Sequence, residues 1–223
     1  SAFLATVLAA STVMGAAMQV SAQNTSDQKA GANLWITEIY QNDTNRSAVY
    51  GNSSDHMEFV EVTNTTDSAI DFNSQYGLWY EYLSGDKYVM KQLTVSTVDG
   101  SDQVTIEAGQ TAILWSQRKD LDVYATEEEF RTAMRVPDSV PVFTVSGQTG
   151  FAANDRGFAI KTSQGETVSY YHYNTTTDEV TADGLAVHLK IPDYGSEMLV
   201  YKAKKPTTAG TVAAAQLNGQ RDI

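Results

Sequence analysis

The sequence contains no cysteine, and this absence excludes several kinds of chemistry at once. Disulfide bonds, catalysis by a thiolate and zinc sites with cysteine ligands all need a cysteine sulfur. The absence does not indicate a reducing compartment, since many exported proteins avoid cysteine. Only 4 prolines and 15 glycines occur, which argues against a collagen-like or linker-rich chain.

Positive charge and clustered histidine are also scarce. The 15 lysines and arginines are outnumbered by 27 acidic residues, so the net charge is -12. An acidic surface repels phosphate backbones, and we therefore expect no nucleic-acid partner. The histidines, at positions 56, 172 and 188, lack the His-Glu-x-x-His spacing of a metal site. No Gly-x-Ser-x-Gly nucleophile elbow is present either, so we predict no catalytic residues and no cofactor in this chain.

What the chain does contain is a series of short, turn-bounded strands. In the strongest one, residues 57–64, Val60 and Val62 share one face and Glu61 lies on the other, because side chains alternate along a strand. Residues 34–40 form a second strand of the same kind. Further candidates cover residues 69–72, 77–83, 88–93, 104–106, 111–115, 142–145, 157–162, 167–173, 187–191 and 197–201. This pattern predicts an all-β protein, an immunoglobulin-like β-sandwich.

One short helix interrupts the strands. Thr126 begins a Thr-Glu-Glu-Glu run with capping-box spacing. Phe130 and Met134 then recur at helical spacing, and Pro137 follows. We predict one inserted helix near residues 127–135.

The chain divides into four parts. Residues 1–22 are mostly small and apolar, carry no charge and end in Val-Ser-Ala, which is typical of part of a secretory signal peptide. We predict a flexible leader at 23–33, the sandwich domain at 34–213 and the start of a linker at 214–223. We therefore expect a fragment of a larger exported protein, secreted or at the cell surface, with no membrane contact after signal cleavage.

An ordered set of short motifs resembles the lamin-tail domain family. The motifs are Ile36-Thr37-Glu38-Ile39, Glu58-Phe59-Val60-Glu61-Val62-Thr63-Asn64, Ala69-Ile70-Asp71-Phe72, Ile106-Glu107-Ala108-Gly109-Gln110, Asn154-Asp155-Arg156-Gly157-Phe158-Ala159-Ile160 and Gly165 before Val168. Their order and spacing carry the resemblance, which covers about residues 34–213. It implies an immunoglobulin-like sandwich without catalytic residues of its own. Bacterial members are commonly exported and joined to metallophosphoesterase or endonuclease/exonuclease/phosphatase domains, which implies that any enzyme lies outside this sequence.

The resemblance also implies a set of motif positions with structural roles. These positions are Glu38, Glu58, Phe59, Glu61, Asn64, Asp71, Asn154, Gly157 and Gly165. Some of the same acids are weak candidates for a calcium site, because hard cations bind several oxygens. The candidate ligands are Glu38, Asp43, Asp55, Glu58 and Glu61. Glu58 and Glu61 have opposite parity on one strand and cannot both point into one site without a bulge, so we favour structural roles.

Three functions follow from these observations. The leading one is a non-catalytic extracellular module that binds or positions an attached enzyme, with a protein or a cell-surface polymer as its partner. The second is a surface adhesin or glycan-binding module, which would show an exposed cluster of tryptophan or tyrosine rings. The candidates for such a cluster are Trp35, Trp79, Trp115 and the tyrosine-rich strands. The third is a hydrolase that uses the loop carboxylates and a divalent ion.

Overall fold

Strands account for most of the secondary structure in the computed structural model, which describes residues 30–43, 55–152, 154–174 and 182–218. The strands are β1 (Leu34–Tyr40), β2 (Phe59–Asn64), β3 (Ile70–Asp71), β4 (Tyr76–Ser84), β5 (Lys87–Thr97), β6 (Thr105–Ile106), β7 (Thr111–Trp115), β8 (Val142–Ser146), β9 (Arg156–Thr162), β10 (Thr167–Tyr173), β11 (Ala186–Lys190) and β12 (Leu199–Lys205). The helices are α1 (Phe72–Gln75) and α2 (Glu127–Met134), and a 3₁₀ turn covers Ala214–Gln216. The predicted all-β fold is confirmed.

Ten strands form one continuous sheet in the order β10-β9-β4-β5-β8-β7-β2-β1-β11-β12, while β3 and β6 pair separately. All neighbouring strands of the large sheet are antiparallel except β7 and β8. Strand β5 connects two halves of the sheet, because it pairs with β4 up to Leu93 and with β8 from Thr94 onward. The long β5 strand therefore carries the chain from one layer to the other.

The two halves face each other because the sheet curls until β10 lies over β1. The backbone N–H of Ile36 in β1 donates to the hydroxyl of Ser169 in β10 at 3.0 Å. The outer edge of β10 also pairs with the segment that leads into β12. Tyr170 N–H donates to the Ser196 carbonyl at 2.8 Å, and Met198 N–H donates to the Tyr170 carbonyl at 2.7 Å. These bonds close the sandwich at one side, as in a barrel.

Each face of β2 carries apolar side chains that are buried. Val60 and Val62 belong to the main core between the two layers, whereas Phe59 belongs to a second core beneath α2. In that second core the ring of Phe130 stacks on Trp115 with centroids 4.4 Å apart. The alternation predicted along residues 57–64 is therefore present, with apolar partners on both sides.

Helix α2 begins as its sequence predicts. Thr126 N–H donates to the Glu129 carboxylate at 2.8 Å, and Glu129 N–H donates to the Thr126 hydroxyl at 3.3 Å, which completes the capping box. The helix ends at Arg135, whose φ of 57° is left-handed. Phe130 and Met134 form its buried face.

Helix α1 has no counterpart among the sequence predictions. The expected strand at 69–72 is shorter, since only Ile70–Asp71 is extended and Phe72 begins a single helical turn. Phe72 N–H donates to the Val104 carbonyl at 2.8 Å, and its ring is fully buried in the main core. Burial of this ring and the pairing with the segment before β6 together override the local strand propensity.

Two of the four predicted parts lie largely outside the described residues. The predicted signal peptide and most of the leader fall in residues 1–29, which the structure does not describe. Within the described ranges no helix has the length and apolar character needed to span a membrane. The segment expected to begin a linker packs on β11 instead, because Gln216 Nε2 donates to the carbonyls of Thr37 and Leu189, both at 2.9 Å.

Candidate functional site

Three of the five candidate acids meet at the start of β2. Asp43 lies shortly after the end of β1, while Asp55 and Glu58 precede β2. One carboxylate oxygen of each lies within 4.8 Å of the other two. Asp43 and Glu58 are fully buried, and Asp55 is partly exposed. We refer to Asp43, Asp55 and Glu58 as the acid cluster.

Backbone N–H groups hold two of these carboxylates in place. The two oxygens of Asp43 accept hydrogen bonds from Asp55 N–H at 2.8 Å and from Met57 N–H at 2.5 Å. Glu58 Oε2 accepts one from Phe151 N–H at 2.5 Å. Its other oxygen, Oε1, is buried and has no hydrogen-bond partner among the described residues. The carboxylates of Asp43 and Glu58 are therefore held in position by backbone N–H groups. Oε1 of Glu58 is an acceptor without a donor among the described residues.

The acid cluster raises the pKa of its buried member, and a described basic side chain lies at its edge. Burial raises the pKa of Glu58 well above its usual value, and the nearby charge of Asp55 raises it further. Arg118 Nη1 lies 3.7 Å from an Asp55 oxygen. The same guanidinium is already bound to Asp120, with Nε and Nη2 donating at 2.8 and 3.0 Å. The structure thus concentrates negative charge around one buried carboxylate.

The other two candidate acids, Glu38 and Glu61, lie outside the acid cluster and contact the segment after β12. Glu61 accepts hydrogen bonds from the Thr37 hydroxyl and from Gly210 N–H, both at 2.7 Å. Glu38 Oε2 accepts from Thr208 N–H at 3.2 Å and lies 3.3 Å from His188 Nδ1. Both carboxylates attach the C-terminal segment to β1 and β2. They do not join the acid cluster.

Asn64, one of the motif positions named from the sequence, has an extensively hydrogen-bonded side chain. Its amide donates to the carbonyls of Ser68 at 2.8 Å and of Ile106 and Glu107 at 3.0 Å. Its oxygen accepts from Thr66 N–H at 2.9 Å. A single amide thereby joins the end of β2 to β6. This is a structural role.

The remaining motif positions are dispersed. Phe59 lies in the second core, and the exposed Asp71 precedes α1 without a side-chain cap. Asn154 is exposed before β9, and Gly165 forms the β9–β10 turn with φ of 87°. Gly157 differs from these, because it lies in the middle of a polar network.

That network lies on the outer face of β10-β9-β4-β5, and no local sequence pattern indicates it. Glu81 Oε2 accepts from the Tyr170 hydroxyl at 2.8 Å and lies 2.7 Å from His172 Nδ1. His172 Nε2 lies 3.3 Å from an Asp155 oxygen, which also accepts from the Tyr88 hydroxyl at 2.6 Å. We call these five residues the outer-face network.

Strand register explains how the outer-face network forms. Gly157 in β9 pairs with Glu81 on one side and with His172 on the other. A Cβ at this position would lie 2.7 Å from Glu81 Oε2, so glycine leaves room for the glutamate to cross β9. Alternation places these residues on one face, but only the pairing of β4, β9 and β10 brings them together. That pairing leaves no local sequence signal.

Contacts within the outer-face network shift the pKa values of two of its members, Asp155 and Tyr170. The hydrogen bond from Tyr88 is the main reason that the pKa of Asp155 lies below its usual value. Burial and the hydrogen bond to Glu81 raise the pKa of Tyr170 well above its usual value. Asp155 is therefore an anion and Tyr170 a hydrogen-bond donor at neutral pH.

Exposed apolar surface borders the network. Tyr88 is 51% exposed and Leu83 is 41% exposed, at the turn between β4 and β5. Trp79 is half-buried on the same face, with Lys161 Nζ 4.9 Å from its ring centroid. By contrast, Trp35 and Trp115 are buried. This face therefore offers aromatic rings beside oriented polar groups.

The fold and the two clusters define an all-β sandwich domain. No model of a known protein family matches the chain, and a comparison with curated proteins finds no match.

Proposed function

We propose that this chain is a non-catalytic, extracellular binding module of lamin-tail type that attaches a larger exported protein to a cell-surface polymer. In the larger protein, a phosphoesterase or nuclease domain would supply the activity. Secretion and the attached enzyme rest on the signal-like first residues and on the resemblance of the motifs.

The structural roles of the motif residues support this proposal. The side chains of Glu38, Glu61 and Asn64 form hydrogen bonds with backbone groups and neighbouring side chains of the same domain. Glu38 is fully buried, and so is Asn64. Side chains bonded in this way hold loops together and are not presented to a substrate.

The single observation that carries the proposal is the outer face of β10-β9-β4-β5. Tyr88 and Trp79 present ring surface there, next to Glu81 and His172. Aromatic faces pack on the C–H faces of sugars, while fixed carboxylate and hydroxyl groups orient hydroxyl groups of a ligand. This combination also favours the second candidate, a glycan-binding module, and the two descriptions share one surface.

Co-sedimentation with insoluble peptidoglycan, cellulose and chitin tests this surface. We expect the purified chain to sediment with at least one of these polymers and Tyr88→Ala to reduce the bound fraction strongly. Tyr88→Phe keeps the ring but lacks the hydroxyl that donates to Asp155, so it separates stacking from the hydrogen-bond network. Tyr194→Ala is the matched control, because Tyr194 is 61% exposed and outside the network.

Two results would contradict the proposal. One is retention by none of the three polymers. The other is release of phosphate from p-nitrophenyl phosphate, or of reducing sugar from the polymers, by the purified chain in proportion to its concentration.

A further inference from the structure

We propose that the acid cluster of Asp43, Asp55 and Glu58 is a site for a divalent cation, with Ca²⁺ as the preferred ion. This inference concerns one end of the sandwich and is independent of the polymer-binding face. Two observations carry it: the spacing of the carboxylates and the oxygen of Glu58 that has no partner among the described residues.

The spacing fits a shared ion. Two oxygens that bind one Ca²⁺ at about 2.4 Å can lie at most about 4.8 Å apart. One oxygen from each of Asp43, Asp55 and Glu58 satisfies this limit with respect to the other two. Three carboxylates also favour Ca²⁺ over Mg²⁺, which proteins usually bind through one or two carboxylates and several waters.

The unpartnered oxygen is an independent observation. Glu58 is fully buried, and its Oε1 accepts no hydrogen bond from any residue that the structure describes. Oε2 is held by Phe151 N–H at 2.5 Å, so the carboxylate cannot rotate freely to find another donor. A buried carboxylate oxygen without a donor is costly. A cation among the three carboxylates would give the buried carboxylate of Glu58 a positively charged partner.

Arg118 does not take the place of such a cation. Arg118 gives two hydrogen bonds to Asp120, at 2.8 and 3.0 Å, and its approach to the cluster is 3.7 Å from Asp55.

The backbone bonds to Asp43 are compatible with ligation. Asp43 Oδ1 accepts the N–H of Asp55 at 2.8 Å, and Oδ2 accepts the N–H of Met57 at 2.5 Å. Such bonds orient a ligand carboxylate toward its ion. The residues that hold Asp43 thus act as positioning groups for the site.

Isothermal titration calorimetry of the chelator-treated full chain with CaCl₂, and separately with MgCl₂, tests this assignment. We expect one saturable Ca²⁺ site, tighter than the Mg²⁺ site, and a thermal midpoint that rises with Ca²⁺ concentration because the ion binds the folded state. The variants Glu58→Gln and Asp55→Asn should each weaken Ca²⁺ binding by about tenfold or more. The amide oxygen introduced by Glu58→Gln can still accept from Phe151 N–H. Asp55→Asn provides a second, less buried substitution if Glu58→Gln fails to fold.

Glu61→Gln is the matched control, because Glu61 is a buried glutamate of β2 outside the cluster. It should leave the Ca²⁺ affinity unchanged. Three results would overturn the assignment: no heat with CaCl₂, tighter binding of Mg²⁺ than of Ca²⁺, or equal loss of affinity in Glu61→Gln and Glu58→Gln. An increase in stability of Glu58→Gln without any response to CaCl₂ would also overturn it, because the carboxyl groups would then be sharing a proton.

Discussion

Glu61 in β2 accepts a hydrogen bond from the backbone N–H of Gly210 at 2.7 Å, across a sequence separation of 149 residues. Glu38 makes a matching contact with Thr208 N–H at 3.2 Å. Together the two glutamates attach the segment after β12 to the centre of the sheet. The C-terminal part of the domain is thus held by buried carboxylates of the two strands that show the clearest sequence pattern.

Gly210 is a position where this attachment is sensitive to substitution. Its φ is 79°, and a Cβ would lie 2.7 Å from Cγ2 of Val140. We expect Gly210→Ala to lower the free energy of unfolding by about 2–4 kcal/mol, since left-handed strain and a clash add together. Urea denaturation measures this loss. Gly85→Ala is the control, because Gly85 has φ of 63° but open space around it, and it should cost only about 1 kcal/mol.

Asn64 offers a second test of the structural roles. Its amide satisfies the carbonyls of Ser68, Ile106 and Glu107. Asn64→Ala removes one hydrogen bond from each carbonyl, although Gln110 N–H still donates to Glu107 and the Thr66 hydroxyl still donates to Ser68. We expect a loss of about 1–3 kcal/mol of unfolding free energy, mainly from the buried carbonyl of Ile106. Asn73→Ala is a fair comparison, since Asn73 also donates to two carbonyls but is exposed. A loss for Asn73→Ala as large as that for Asn64→Ala would contradict this view of Asn64.

The second core should depend on the ring of Phe130. This ring is fully buried between Phe59 and Trp115, with centroids 6.1 and 4.4 Å away. We expect Phe130→Ala to destabilise the domain by about 3–5 kcal/mol through lost burial and a residual cavity. Val123→Ala, at a residue that is 59% exposed in the preceding loop, should have little effect. Equal midpoints in urea for both variants would show that α2 contributes little to the core.

The stability of the domain should depend on pH through Glu38. Burial raises the pKa of Glu38 above its usual value, while the neighbouring His188 opposes part of this increase. The folded state therefore binds the proton more tightly than the unfolded state. The resulting contribution to stability is full below about pH 4.5, the usual range of a glutamate, and is lost as the pH rises through the raised pKa.

Glu38→Gln removes this titration while keeping a similar shape. Between about pH 4.5 and neutrality, we expect the wild-type chain to lose stability relative to Glu38→Gln, as measured by urea denaturation at each pH. Thr208 N–H can still donate to the side-chain carbonyl of the introduced glutamine. A wild-type chain that gains stability relative to the variant over this range would show that the ion pair with His188 outweighs burial.

The sequence predicted the elements well and the contacts between distant elements poorly. Alternation was sufficient for β1 and β2, and the capping box located α2, because both signals are local. Phe72 shows the limit of local signals, since its helical turn depends on a hydrogen bond to Val104 and on burial in the main core.

The two clusters show the same limit for functional sites. Parity along residues 57–64 already separated Glu58 from Glu61, so part of the acid-cluster geometry was predictable. The proximity of Glu81, His172 and Asp155 was not predictable, because it depends on the register of β4, β9 and β10. Register between strands that are distant in sequence is set by the packing of the whole sheet.

Hydroxyl-radical footprinting of the chain, alone and bound to the polymer that retains it, tests the binding surface most directly. We expect oxidation of Tyr88 and Trp79 to decrease on binding, whereas oxidation of Tyr194 should stay unchanged. Protection of Tyr194 with no change at Tyr88 and Trp79 would contradict the proposed function, because binding would then occur away from the outer face of β10-β9-β4-β5.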